Sequence, residues 1–161
     1  MYALAQRLAA RGWLLRTGLS PGADQAFYEG AVAARGAVEL YLPWPGFEAR
    51  ARVAAAERRV LAMQGPAPAA YRVAARFHPR WRGLAPRQRA LLARDAHEVL
   101  GADLATPVRL VLCWTADGSL DGRGLLSDGT GQALRIAHAH RIPVLNLARP
   151  GHATRVAVAT R

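Results

Sequence analysis

The stretch Trp13-Leu14-Leu15-Arg16-Thr17-Gly18-Leu19-Ser20-Pro21-Gly22-Ala23-Asp24 decides how this chain is read. An apolar run reads as a short strand, glycines turn the chain, and a helical pattern follows. Such a turn presents free N–H groups and the positive end of a helix dipole, which suits a phosphate. A second stretch, Ser127-Asp128-Gly129-Thr130-Gly131-Gln132, has the same character near the other end. Two such turns in one open parallel sheet face the same edge and can hold a nucleotide-like ligand between them.

Working outward, residues 3–11 read as a helix, 13–17 as a strand, 23–35 as a helix and 38–42 as a strand. Residues 47–64 carry Arg50, Arg52, Arg58 and Arg59 among alanines and suit a helix on propensity. Helices are expected over 69–77, ended by His78-Pro79, and from Pro86 to about residue 100. Residues 108–114 read as a buried strand, 129–140 as a helix and 143–147 as the last strand. The tail from Arg149 reads as peripheral. This alternation predicts an α/β fold: a Rossmann-like, doubly wound, mostly parallel sheet flanked by helices. Residues 1–161 fit one domain, with a helical, arginine-rich insertion at about 47–104.

Composition bounds the function classes. Hydrophobic residues make up 52% and charged residues 20%, which favours a packed core over disorder. No apolar run is long enough to span a bilayer, so a cytoplasmic protein without membrane partners is expected. The lone Cys113 excludes an internal disulfide. Net charge is +11, and apart from His every basic residue is arginine, consistent with coding bias in a GC-rich genome. The bias explains the choice of arginine, not the excess of cations, and a positive field attracts polyanions. No His or Cys pair has metal-ligand spacing, and no Ser-His-Asp arrangement stands out.

Several motifs act as a set. They are Arg16-Thr17-Gly18, Gly22-Ala23-Asp24, Tyr41-Leu42-Pro43-Trp44, Phe77-His78-Pro79, Val99-Leu100-Gly101, Cys113-Trp114, Gly129-Thr130-Gly131-Gln132 and Ile142-Pro143-Val144-Leu145-Asn146-Leu147. Together they resemble the small DprA-like (DNA recombination-mediator protein A-like) proteins of tailed phages and bacteria. These belong to the SLOG superfamily, with the lysine-decarboxylase-like LOG proteins. The resemblance covers nearly the whole chain. It implies a Rossmann-like fold, a nucleotide-type or nucleic-acid ligand at the glycine-turn edge, and residence in a bacterial or phage-infected cell. Three departures stand out. The family's usual first strand, with its Gly-Ser-Arg turn, is missing ahead of residue 1. Leu19 stands where a glycine is common, and Asp128 where a further glycine is usual.

The expected ligand contacts are Thr17, Gly18, Ser20, Gly22, Ala23, Asp24, Trp114, Gly129, Thr130, Gly131 and Gln132. His78, Trp81, Arg94, His97 and Arg135 are candidates to meet a base or an anion. Each has a plainer reading. Asp24 braces its loop, Trp81 packs as a lid on the core, and Arg94 and Glu98 pair on a solvated helix face. A nucleotide or ADP-ribose-like ligand is expected, with no cofactor required. Single-stranded DNA binding is the alternative. LOG-like hydrolysis of a nucleoside-monophosphate N-glycosidic bond is a further one, with Asp24, Glu29 or Asp128 as its carboxylate. A binding protein fits better than an enzyme, and self-association is compatible with apolar helices on a short sheet.

Overall fold

The computed structural model describes residues 1–47, 60–123 and 128–159. Strands β1 (Leu15–Thr17), β2 (Val38–Leu42) and β3 (Val60–Gln64) form one sheet in that order. Strands β4 (Val111–Cys113) and β5 (Val144–Asn146) form a second. Every pairing is parallel, with Leu15 opposite Val38, Val38 opposite Val60 and Val111 opposite Val144. The helices are α1 (Tyr2–Ala10), α2 (Ala23–Ala33), α3 (Pro68–Phe77), α4 (Pro86–Leu100), α5 (Asp128–Ala139) and α6 (Pro150–Ala159). The described chain is mixed α/β, with small parallel sheets and helices.

Strand alternation sorts the helices onto two faces. Leu112 and Leu145 pack with Leu4, Leu8 and Phe27 of α1 and α2, and with Val156 of α6. Their neighbours Val111 and Val144 turn the other way, onto Ala74 of α3, Ala96 of α4 and Ile136 of α5. In β2, Val38, Leu40 and Leu42 face α2, while Tyr41 stacks on His97 of α4. Helix α4 starts at Pro86, where a missing N–H costs nothing, and Gln88 Oε1 accepts the Ala85 N–H at 2.9 Å. It stops at Gly101, whose φ of 86° suits glycine.

Three expectations change. Residues 60–64, read on propensity as part of a helix, form β3, because pairing along β2 outweighs local preference. Arg50, Arg52, Arg58 and Arg59 lie outside the described residues. The tail is not peripheral, since α6 carries the buried Val156 into the core beside Leu4 and Phe27. The stretch expected as an insertion supplies the outer strand and the helix α4, which buries Ala93, Ala96 and Val99.

Candidate functional site

The C-terminal ends of β1 and β4 open onto one cavity of about 870 Å³. The turn after β1 contributes Thr17, Ser20, Ala23 and Asp24. Trp114 follows β4, Gly129 and Thr130 begin α5, and Arg94, Asp95 and Glu98 of α4 form a wall. The two glycine turns therefore meet at one cavity.

Arg94 organises this end. It is only 5% exposed. Its Nη2 donates to Ser20 Oγ at 2.6 Å. Its Nη1 contacts Glu98 Oε1 and lies 3.6 Å from both Asp24 Oδ2 and Asp95 Oδ1. Arg94 and Glu98 do pair, as their spacing suggests, but the pair is buried in the cavity wall rather than on a solvated face. Asp24 also accepts the Ser20 N–H at 3.2 Å, the loop-bracing role its position suggested. Burial pushes the Asp95 carboxyl up to about 7. The Arg94 charge opposes that rise and the Asp24 charge adds to it. The wall thus holds one guanidinium against three carboxyl groups, one of which keeps its proton near neutrality. Thr17 Oγ1 and Asp95 Oδ2 are buried with no hydrogen-bond partner among the described residues.

The first turn explains its own glycines. A Cβ on Gly18 would run into the Arg94 guanidinium, so glycine lets the arginine lie against the backbone. Gly22 has φ 102° at the N-cap of α2, a conformation closed to most side chains. Leu19 between them holds φ 60°, and its buried side chain packs on Leu40 and Leu42. Gly18 and Gly22 shape the turn without lining the cavity.

Other expected contacts lie elsewhere. Gln132 is fully buried; its Nε2 donates to the Ala74 carbonyl at 2.9 Å, and its Oε1 accepts from Arg135 Nη2 at 3.0 Å. Arg135 also donates to the carbonyls of Phe77 at 2.8 Å and Gly122 at 3.1 Å, so it ties loops to α5. Gly131 is buried against Gly122. His97 accepts the Ala67 N–H at Nε2 (3.2 Å) and pairs through Nδ1 with the Gly101 carbonyl (3.0 Å). Burial lowers its pKa, so the neutral ring with its proton on Nδ1 fits both partners. His78 and Trp81 pack edge to face, and Trp81 also meets Tyr71 and Arg89, a lid on the α3–α4 core. Glu29 is exposed on α2 and accepts from Gln25. Ser127 and the side chain of Asp128 lie outside the described residues.

Sequence reasoning gave no role to Asp95 or Asn146 and placed Glu98 on a solvated face. The buried Asn146 ends β5 and holds the loop after β4. Its Nδ2 donates to Thr115 Oγ1 at 2.6 Å and the Ser119 carbonyl at 2.8 Å, and its Oδ1 accepts the Thr115 and Ala148 N–H groups. A polar amide closing the apolar run Val144-Leu145 was the available signal. Among the described residues, no group of three or more His, Cys, Asp or Glu could hold a metal ion. No described helix is long and apolar enough to cross a membrane. No protein-family model, curated protein or solved structure matches this chain.

Proposed function

We propose that the chain binds a nucleotide-type phosphate compound, such as a nucleoside monophosphate or an ADP-ribose-like molecule, at the upper end of this cavity. The observation that carries the reading is the convergence of two helix N-termini, at Ala23 and at Gly129–Thr130, on a cavity rimmed by the 51%-exposed Trp114. Helix N–H groups suit the phosphate. The carboxylates of Asp24 and Glu98 suit ribose hydroxyls, which donate to them. Trp114 offers a face for a base to stack on. The acidic excess around Arg94 includes Asp24 in the first turn of α2 and would repel a phosphate there, which leaves the N-terminus of α5 at Gly129–Thr130 as its seat. The reading goes with a Rossmann-like, doubly wound arrangement and a cytoplasmic setting, as the family resemblance implies.

The test is a thermal-shift series at physiological salt with AMP, ADP-ribose and NAD. A ligand held only by the folded state raises the melting temperature with occupancy. A Cβ at Gly129 meets nothing within 4 Å, so Gly129→Glu should fold normally and place a carboxylate in the phosphate seat. The expected result is a shift with at least one compound that Gly129→Glu abolishes and Trp114→Ala weakens. No shift at about 1 mM ligand, or a shift indifferent to Gly129→Glu, would overturn the reading.

A second reading, single-stranded DNA binding, is favoured by the net charge and by a shallower cavity of about 420 Å³ beside Arg76, His78 and Arg123. It requires oligonucleotide affinity tighter than the roughly 10⁻⁴–10⁻⁶ M of non-specific binding, falling with salt. Hydrolysis of an N-glycosidic bond would cast Asp95 as the proton donor, because burial raises the pKa of its carboxyl to about 7. Failure to release adenine from AMP at high protein concentration removes that activity.

A further inference from the structure

Below the polar end, the same cavity continues between the two sheets as an apolar slot. Its walls are Leu14 and Leu15 on one side and Leu110, Leu112 and Cys113 on the other. Among the described residues, strand β1 pairs only with β2 and β4 only with β5, so each turns an edge without a described strand partner to the slot. The Leu15 N–H bonds the Ala37 carbonyl, and the Val111 N–H bonds the Pro143 carbonyl. By the alternation of a strand's amides, Arg16 and Leu112 direct their N–H and C=O groups the opposite way, into the slot. The helices that cover both faces of β1 and β4 also cover the slot: Ala5 and Phe27 reach it from one side, Val99 and Leu134 from the other. The two edges run in one direction. Trp13, ahead of β1, takes the Arg109 guanidinium, ahead of β4, at 5.7 Å, while Thr17 and Trp114 share the upper end. Arg16 Nη1 reaches the Thr106 carbonyl at 2.6 Å and straps the halves together by a side chain instead of a ladder.

We propose that this slot receives an extended apolar segment of a partner polypeptide, which enters as a strand parallel to β1 and β4 and joins the two sheets into one. A small apolar ligand would satisfy the walls but not the amide edges; a strand satisfies both. Because it would be covered on both faces, the segment should be a run of about five residues rich in Val, Ile and Leu. Charge at the slot's ends sets its flanks. Arg11 and Arg109 border the lower mouth and favour acidic residues before the run. Asp24 and Glu98 border the upper end and favour basic residues after it. The inference does not depend on the nucleotide reading.

The probe is a synthetic peptide with two glutamates, the core Val-Ile-Val-Leu-Val and two lysines, added to the full chain. One control replaces the central valine with proline, which stays apolar but lacks an N–H and cannot continue a ladder. A second exchanges the charged ends. Two readouts are used: the melting temperature, and the rate at which a thiol reagent modifies Cys113, the lone cysteine and part of the slot wall. The parent peptide should raise the melting temperature by several degrees and slow Cys113 modification about tenfold. The proline peptide should do neither, and the charge-exchanged peptide should bind more weakly. Equal effects of parent and proline peptides would mean an apolar sink rather than a strand site, and no effect of either would remove the proposal. Concentration-dependent self-association that protects Cys113 and excludes the peptide would assign the slot to a second copy of this chain. Gly129→Glu adds a carboxylate at the upper end and should take the peptide at least as well as the unmodified chain while losing the nucleotide, which separates failure here from failure of the nucleotide site.

Discussion

The two glycine turns look alike in sequence and are built in opposite ways. The first is shaped around a charge. Gly18 yields space to the Arg94 guanidinium, which is ringed by Asp24, Asp95 and Glu98. The second leads into α5, whose Gln132 and Arg135 are spent on carbonyls and on each other. Of its described polar and glycine residues, Gly129 and Thr130 line the cavity, followed one turn on by the apolar Ala133 and Leu134. A glycine-rich turn before a helix thus fixes where a site can be, while the groups behind the turn decide whether its polar residues are free to act.

The largest test of that contrast removes the first arginine. Arg94→Met strands three carboxyl groups and should cost about 3–5 kcal/mol, or roughly 10 °C in melting temperature at about 2–4 °C per kcal/mol. The loss should be greater at pH 8 than at pH 5, where protonation relieves it. A loss equal at both pH values would mean that charge is not the cause.

Asp95→Asn probes the same cluster from the other side. Folded Asp95 holds its proton to about pH 7, whereas the unfolded chain releases it near pH 4. The stability linked to that proton is present below about pH 4 and disappears as pH rises through 7. Melts of the Asn variant should lack this decline, gaining on the order of 3 kcal/mol on the parent chain between pH 4 and pH 8. Parallel curves for the two proteins would refute the assignment.

Arg135→Met should cost about 2–3 kcal/mol by freeing buried carbonyls. The Arg135 charge also lowers the Asp95 pKa, though less than that of Arg94, so the defect should grow only modestly from pH 5 to pH 8, and that smaller slope is what separates it from Arg94. The glycines close the series. Gly18→Ala should cost about 1–3 kcal/mol through collision with Arg94, whereas Gly129→Ala should stay within about 0.5 kcal/mol. Chemical denaturation of both variants compares the two turns directly.

Much of the frame was legible in the chain. Val38–Leu42 alternates around a buried face, and Pro86 and Gly101 bracket α4 with its own start and stop signals. The turn regions of the site were legible for the same reason, since glycine and proline act locally. The wall was not. Arg94, Asp95 and Glu98 have the spacing of a surface helix, and only packing against β1 and α5 turns that face inward. Residues 60–64 were misread because a strand's pairing partner is remote in sequence. Gln132 looked like an available polar group, and nothing local revealed the Ala74 carbonyl that claims it.

Leu19 ties these matters together. Its left-handed backbone would be easier for glycine, yet its side chain is one of the buried members of the β2 core. The turn therefore takes its shape from the hydrophobic interior beneath it rather than from freedom in its own backbone. The proposed ligand seat and the core should then melt as one event: as the core loosens, the turn dissolves with it, with no intermediate temperature at which a folded chain has lost the turn.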